Sequence, residues 1–152
     1  PFQMRDFEKI GTDLAVVDLV YEYEHGARCF GVVLNTDYST GGGIHWFCLF
    51  GDFSNSVITL EYFNSSGNPP LPEVQAWLQK TKHHLMKNLN KEVDVVYVAQ
   101  QVLQKDQHSC GVWCLCYLWA RLRGISFKWF TSHNVSDKLM HSLRKNLFRH
   151  QS

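Results

Sequence analysis

The chain has 152 residues, 45% of them apolar and 14% aromatic, and 15 lysines and arginines against 14 acidic residues leave a net charge of +1. Such a composition excludes a disordered chain, and the scattered basic residues give no block that argues for nucleic acid. The length suits one domain with a sizeable core, the apolar runs are too short and interrupted to span a membrane, and no signal-peptide pattern opens the chain.

In chain order, the first 26 residues are the least legible, and Asp13 to Tyr23, rich in Val, Leu and Tyr, is predicted as a strand. Cys29 to Asn35 (CFGVVLN) is a short apolar run bounded by turn residues and predicts a strand. The loop TDYSTGGG follows, with three glycines in a row. His45 to Phe53 predicts a second strand, Ser54-Asn55 a turn, and Val57 to Phe63 a third strand, the three being consecutive antiparallel neighbours. Asn64 to Pro70 reads as a loop. Leu71 to Leu89 reads as a helix, because Val74, Trp77, Leu78, Thr81, Leu85 and Leu89 recur at spacings of three and four. Pro72 fits its first turn. Val93 to Ala99 predicts a central strand. Cys110 to Arg123 predicts a mostly buried helix with Gly124 after its end. A last helix is expected after Ser136 as N-cap, with Leu139, Met140, Leu143 and Leu147 facing inward. This order of strands, helix, strand and helices implies an α+β domain, a small and mostly antiparallel sheet flanked by helices. Pro1 stands where Met would open a whole protein, so residues 1–152 are expected to be one domain with an N-terminal region missing.

The five cysteines, at 29, 48, 110, 114 and 116, have no disulfide-framework spacing and read as free thiols of a reducing compartment. Cys114 and Cys116 lie inside an apolar helix and read as core. Cys110 is different, because a polar loop (QKDQHS) enters a helix there. A helix start stabilises a thiolate, and Gly111 leaves the position uncrowded. A metal role is disfavoured, since residues 110 and 114 share a helix face that 116 does not, and no second cluster has zinc-site spacing. Of the eight histidines, His83, His84, His141 and His150 read as solvated helix residues, His25 and His133 as turn residues, and His108 as a loop residue. His45 follows the glycine run, opens an apolar strand and precedes Trp46. Residue types alone leave open whether Cys110 is a buried thiol or a nucleophile, and whether His45 is a capped strand end or its base.

The set GGGIHWFCLF, ITLEYFNSSGNPP and QKDQHSCGVW resembles the cysteine proteases of the adenovirus-protease and SUMO-protease group. That group has His-Trp, then an acidic or amide residue after the next strand, then Gln, then Cys-Gly with the Gln six residues ahead, as Gln104 is to Cys110. Within it, FGVVLNTDYSTGGGIHW, LEYFNSSGNPP, PFQMRDFE and SLRKNLFR are similar to segments of the polyprotein-processing proteases of African swine fever virus and related large DNA viruses.

The resemblance implies a papain-like cysteine protease core with Cys110 as nucleophile, His45 as general base, Asn64 as the group that orients it, and Gln104 as oxyanion-hole side chain. SUMO proteases usually carry Asp at the third position and adenovirus protease Glu, so Glu61 is a rival to Asn64. Asn64 is favoured because it lies where strand gives way to loop, and an amide carbonyl can fix an imidazole as in papain. Trp46 is expected to flank the substrate channel. The implied reaction is cleavage after Gly-Gly in viral structural polyproteins during virion core maturation, in host cytoplasm and virion, without a metal or organic cofactor. Ubiquitin- or SUMO-like proteins also end in Gly-Gly and are the alternative substrates. Acyl transfer by the same kind of Cys-His pair is a further alternative that would need a cofactor-binding face, of which the sequence gives no sign, and a noncatalytic binding domain on the same fold would keep its function in Cys110→Ala.

Overall fold

Strands that are apolar along their whole length need cover on both faces, and the middle of this sheet has it. A computed structural model describes residues 2–99 and 110–132 of the chain. In chain order the elements are β1 (Phe2–Gln3), α1 (Phe7–Ile10), α2 (Asp13–Val16), α3 (Leu19–Glu24), β2 (Cys29–Asn35), β3 (Trp46–Asp52), β4 (Val57–Phe63), α4 (Pro72–Leu89), β5 (Glu92–Val98), α5 (Cys110–Leu122) and α6 (Lys128–Ser132). The strands form one sheet in the order β1-β2-β3-β4-β5. The middle strands β2, β3 and β4 are antiparallel neighbours, as expected, while β1 joins β2 and β5 joins β4 in parallel. The architecture is α+β, with helices packed on both faces of the sheet.

One face carries Val32, Leu34, Phe47, Leu49, Ile58, Leu60 and Tyr62 against α4 and the short N-terminal helices. The other carries Val33, Cys48, Phe50 and Phe63 against Trp113, Cys114 and Tyr117 of α5 and Phe130 of α6. These two sets alternate along each strand, as the two-residue period requires.

Two expectations need correction. Asp13 to Tyr23 is not a strand but the two short helices α2 and α3. The Asp18 carboxylate accepts the backbone N–H groups of Val20 and Tyr21, capping α3. Leu14, Leu19 and Val20 turn inward, and the Trp77 indole N–H donates to the Leu14 carbonyl at 3.1 Å. Cap and tertiary contact thus override the β-propensity of Val and Tyr. The second correction concerns Val93 to Ala99. That strand, β5, closes one end of the sheet order, with Glu92 and Asp94 exposed and Val95, Val96 and Tyr97 only half-buried.

Helix α4 buries Val74, Trp77, Leu78, Thr81 and Leu85 as its spacing predicts, with Leu89 half-buried. Helix α5 is less enclosed than expected, because Trp119 and Leu122 remain exposed. Gly124, at φ +80°, supplies the left-handed turn after it. Helix α6 had no counterpart in the sequence reading. The helix expected after Ser136 lies outside the described residues, as does Gln104. Among the described residues, no helix is long and apolar enough to cross a membrane.

Candidate active site

Antiparallel pairing brings the start of β3 and the end of β4 to one end of the sheet. Asn35 pairs with Trp46 across β2 and β3, and Cys48 pairs with Phe63 across β3 and β4. His45, just before β3, therefore meets Asn64, just after β4, although 19 residues separate them. The His45 Nε2–H donates to Asn64 Oδ1 at 2.8 Å. Helix α5 starts at the same end, and the Trp46 N–H donates to Cys110 Sγ at 3.5 Å. The His45 ring and the Cys110 thiol also interact, each acting on the other's protonation.

The β2–β3 loop holds His45 in place. Asn35, buried at the end of β2, accepts through Oδ1 the N–H groups of Asp37 (2.9 Å) and Ile44 (3.0 Å). Thr36 N–H donates to the His45 carbonyl at 2.9 Å. Gly43 turns the chain at φ +87°, a conformation that side chains disfavour. The N-terminal segment braces the loop: Arg5 N–H donates to the Asp37 carbonyl, and Ser39 donates to Asp6 from both N–H and Oγ–H.

The electrostatics favour separated charge. Burial works against a protonated His45, but its bonds to Cys110 and Asn64 prevail and raise its pKa above the usual histidine value. Burial equally opposes a Cys110 thiolate. His45, the Trp46 N–H and the Gly111 N–H at the helix start outweigh it and lower the thiol's pKa. No acidic residue occupies the first turn of α5 to oppose that charge. The Trp46 indole lies beside the helix start, where a Cβ on Gly111 would be 3.8 Å from its Cδ1. That is ordinary contact, so packing against Trp46 does not demand a glycine at this position.

Glu61 sits elsewhere. It faces α5, fully buried, and its carboxylate accepts from Tyr117 Oη (2.6 Å), Arg121 Nε (2.7 Å) and Nη2 (3.0 Å), and Thr59 Oγ1 (2.9 Å). Arg121 Nη2 also reaches Asp52 at 3.3 Å. Cys114 is fully buried and Cys116 half-buried against the α5-side core, and Cys29 is exposed. His25, His83 and His84 are exposed. Among the described residues, no group of three or more His, Cys, Asp or Glu side chains is placed to share a metal ion. A cavity of about 410 Å³ between α3 and α4 is lined by Val17, Leu19, Trp77, Lys80, His84 and their neighbours, and it contains none of the site residues.

Sequence reasoning missed the residues around Asn64. Its Oδ1 also accepts from Ser66 N–H (3.0 Å) and Oγ–H (2.7 Å), and its Nδ2 donates to Tyr62 Oη at 2.9 Å. The two-residue offset of Tyr62 from Asn64 was a readable signal that both share a strand face.

Comparison with known proteins bears on the sequence as a whole and on the fold. No protein-family model matches the chain. A protein of African swine fever virus named SUMO-1 cysteine protease is 36% identical over 98% of the chain, which spans 59% of that relative's length. The crystal structure of the African swine fever virus protease superposes with a TM-score of 0.88 at 34% identity, covering 98% of this chain and 58% of that one. A SUMO protease structure shares the fold at TM-score 0.52 and 14% identity, over 80% of this chain and 55% of that one. By sequence and by fold, the chain is similar along nearly its whole length to the cysteine proteases of African swine fever virus.

Proposed function

We propose that the protein is a cysteine endopeptidase that cleaves viral structural polyproteins after Gly-Gly, in host cytoplasm and virion, during virion core maturation. The observation that carries the reading is the line of contacts from Asn64 through His45 to Cys110 at the start of α5. The Gly-Gly preference and the polyprotein substrate rest on the family resemblance.

In the proposed reaction the Cys110 thiolate attacks the carbonyl of the scissile peptide. The oxyanion is met by the Cys110 backbone N–H and, by family resemblance, by the Gln104 amide; loss of one such donor costs about 10²–10³ in kcat. His45, protonated in the ion pair, passes its proton to the leaving amine as the C–N bond breaks and a thioester remains. It then takes a proton from water, whose oxygen releases the acyl group and restores the thiolate. Asn64 holds the imidazole in the plane and tautomer that these transfers need. Trp46, half-buried at the start of β3, flanks the channel for the small residues before the cleaved bond. The mechanism uses no metal or organic cofactor.

A second reading, removal of ubiquitin- or SUMO-like proteins, is favoured by the name of the viral relative and by the SUMO-protease fold. Mass spectrometry of a Gly-Gly-X peptide library, incubated with wild type and Cys110→Ala, tests the main proposal. Cleavage after the second Gly, lost in the variant, supports it. Untouched peptides alongside cleaved ubiquitin- or SUMO-like conjugates favour the second reading.

A further inference from the structure

Tyr62 is almost wholly buried on β4, its ring packed near Phe47 and Tyr97 at centroid distances of 5.5 and 6.4 Å. Its hydroxyl has two partners of opposite kind. It donates to the Asn68 carbonyl at 3.0 Å and accepts from Asn64 Nδ2 at 2.9 Å. A backbone carbonyl can only accept, so the single hydroxyl proton is committed to Asn68, and Asn64 meets a lone pair. On the other side of the amide, the Ser66 N–H can only donate, and it faces Oδ1. The two ends of the Asn64 amide are thus held by partners that accept only one orientation.

We infer that Tyr62 is a positioning residue for the proposed reaction, holding Asn64 so that its carbonyl oxygen, and not its NH₂ group, faces the His45 ring. This rests on the proposed function in that His45 and Cys110 are taken as the reacting pair. The same polarity accounts for an amide at position 64. A carboxylate oxygen pointed at Tyr62 would meet a lone pair unless the hydroxyl abandoned Asn68.

Burial pushes the Tyr62 hydroxyl up to about 12, so the donor persists through the working pH range. The titratable groups that bear on this corner are Cys110 beyond His45, and Cys48 on β3 and Cys114 on α5 beneath the sheet. Both of those thiols are fully buried.

The test is a double-mutant cycle of Tyr62→Phe and Asn64→Ala, read by peptide hydrolysis and by the pH dependence of Cys110 alkylation with iodoacetamide. Phenylalanine keeps the ring and removes only the hydroxyl. Loss of one neutral hydrogen bond predicts a kcat about fivefold lower with KM unchanged, and a Cys110 alkylation midpoint moved to higher pH. In the Asn64→Ala background the hydroxyl has nothing to orient, so Tyr62→Phe changes both readings less than twofold. Equal losses in both backgrounds would make Tyr62 a packing residue and overturn the inference, as would an unchanged alkylation profile in Tyr62→Phe. Thermal melting of each variant separates misfolding from mispositioning. The proposed function fails separately, if Cys110→Ala still hydrolyses peptide; the alkylation profile reads Tyr62 in either event.

Discussion

Strand β4 carries two polar clusters on its opposite faces, and they are built to different ends. On the α5 side, Glu61 is enclosed by Tyr117, Arg121 and Thr59, with Asp52 completing the charge around Arg121. Each carboxylate oxygen of Glu61 accepts two hydrogen bonds, and the bonds to Glu61 raise the Arg121 pKa further. At the strand's end, the cluster of Tyr62, Asn64, His45 and Cys110 contains no fixed charge, and His45 and Trp46 stay partly open to solvent. The first cluster is saturated and holds α5 to the sheet. The second is the proposed reaction site, where a proton would pass between sulfur and imidazole. An acidic residue on the right strand is therefore no guide to the orienting group, because Glu61 has no capacity left.

Four experiments sharpen that contrast. The largest effect is expected from Cys110→Ala, which should cut hydrolysis by about 10⁴ or more while thermal melting stays close to wild type. Loss of both activity and fold would merge the two clusters into one structural unit. Next, Glu61→Gln leaves Arg121 with only Asp52 as a carboxylate partner and should destabilise the fold by about 3 kcal/mol, measured by denaturant unfolding. An unfolding midpoint near wild type would show that the saturated cluster is dispensable.

Asn64→Ala should lower kcat by about tenfold and, because removing the buried Asn64 amide leaves the Ser66 N–H without its acceptor, cost about 1–3 kcal/mol of stability, less than Glu61→Gln. Its pH profile carries a sign. The Cys110 pKa is lowered, so the acid limb of activity, where the thiol must ionise, lies below that of an ordinary cysteine. The His45 pKa is raised, so the alkaline limb, where the imidazolium is lost, lies above that of an ordinary histidine. The Asn64 bond is one cause of the raised value, and removing it should draw the alkaline limb to lower pH. An alkaline limb that does not move would detach Asn64 from the chemistry. The smallest effect is expected from Gly111→Ala, whose new methyl would make ordinary contact with Trp46. Stability should change by no more than about 1 kcal/mol, and a larger loss would mean that the helix start is tighter than the geometry indicates.

The middle of the sheet was legible because β2, β3 and β4 are apolar runs closed by turn residues, and α4 because one stripe recurs at helical spacing. The N-terminal helices were not legible. Four to six residues carry too little periodicity, and α3 depends on the Asp18 cap and the contact of Trp77 with Leu14, which only the tertiary structure supplies. The run of valines in β5 suggested full burial, yet its alternating Glu92 and Asp94 already marked a strand with an open side. At the site, His45 stood out by its position after three glycines and Cys110 by lying at a loop-to-helix boundary. Asn64 came from family resemblance, and its fit to His45, 19 residues away, follows from the antiparallel pairing of β3 and β4. The locking of its amide depends on the Asn68 carbonyl folding back over Tyr62, and no local pattern announces that.

The most direct test of the account is to trap the nucleophile. A peptide ending in Gly-Gly-vinyl sulfone is incubated with the folded protein, and the adduct is mapped by mass spectrometry in wild type and His45→Ala. The account predicts one adduct, on Cys110, strongly slowed without His45. Labelling of Cys29 or Cys116 at a rate equal to Cys110, or no labelling of Cys110 by folded protein, would contradict it.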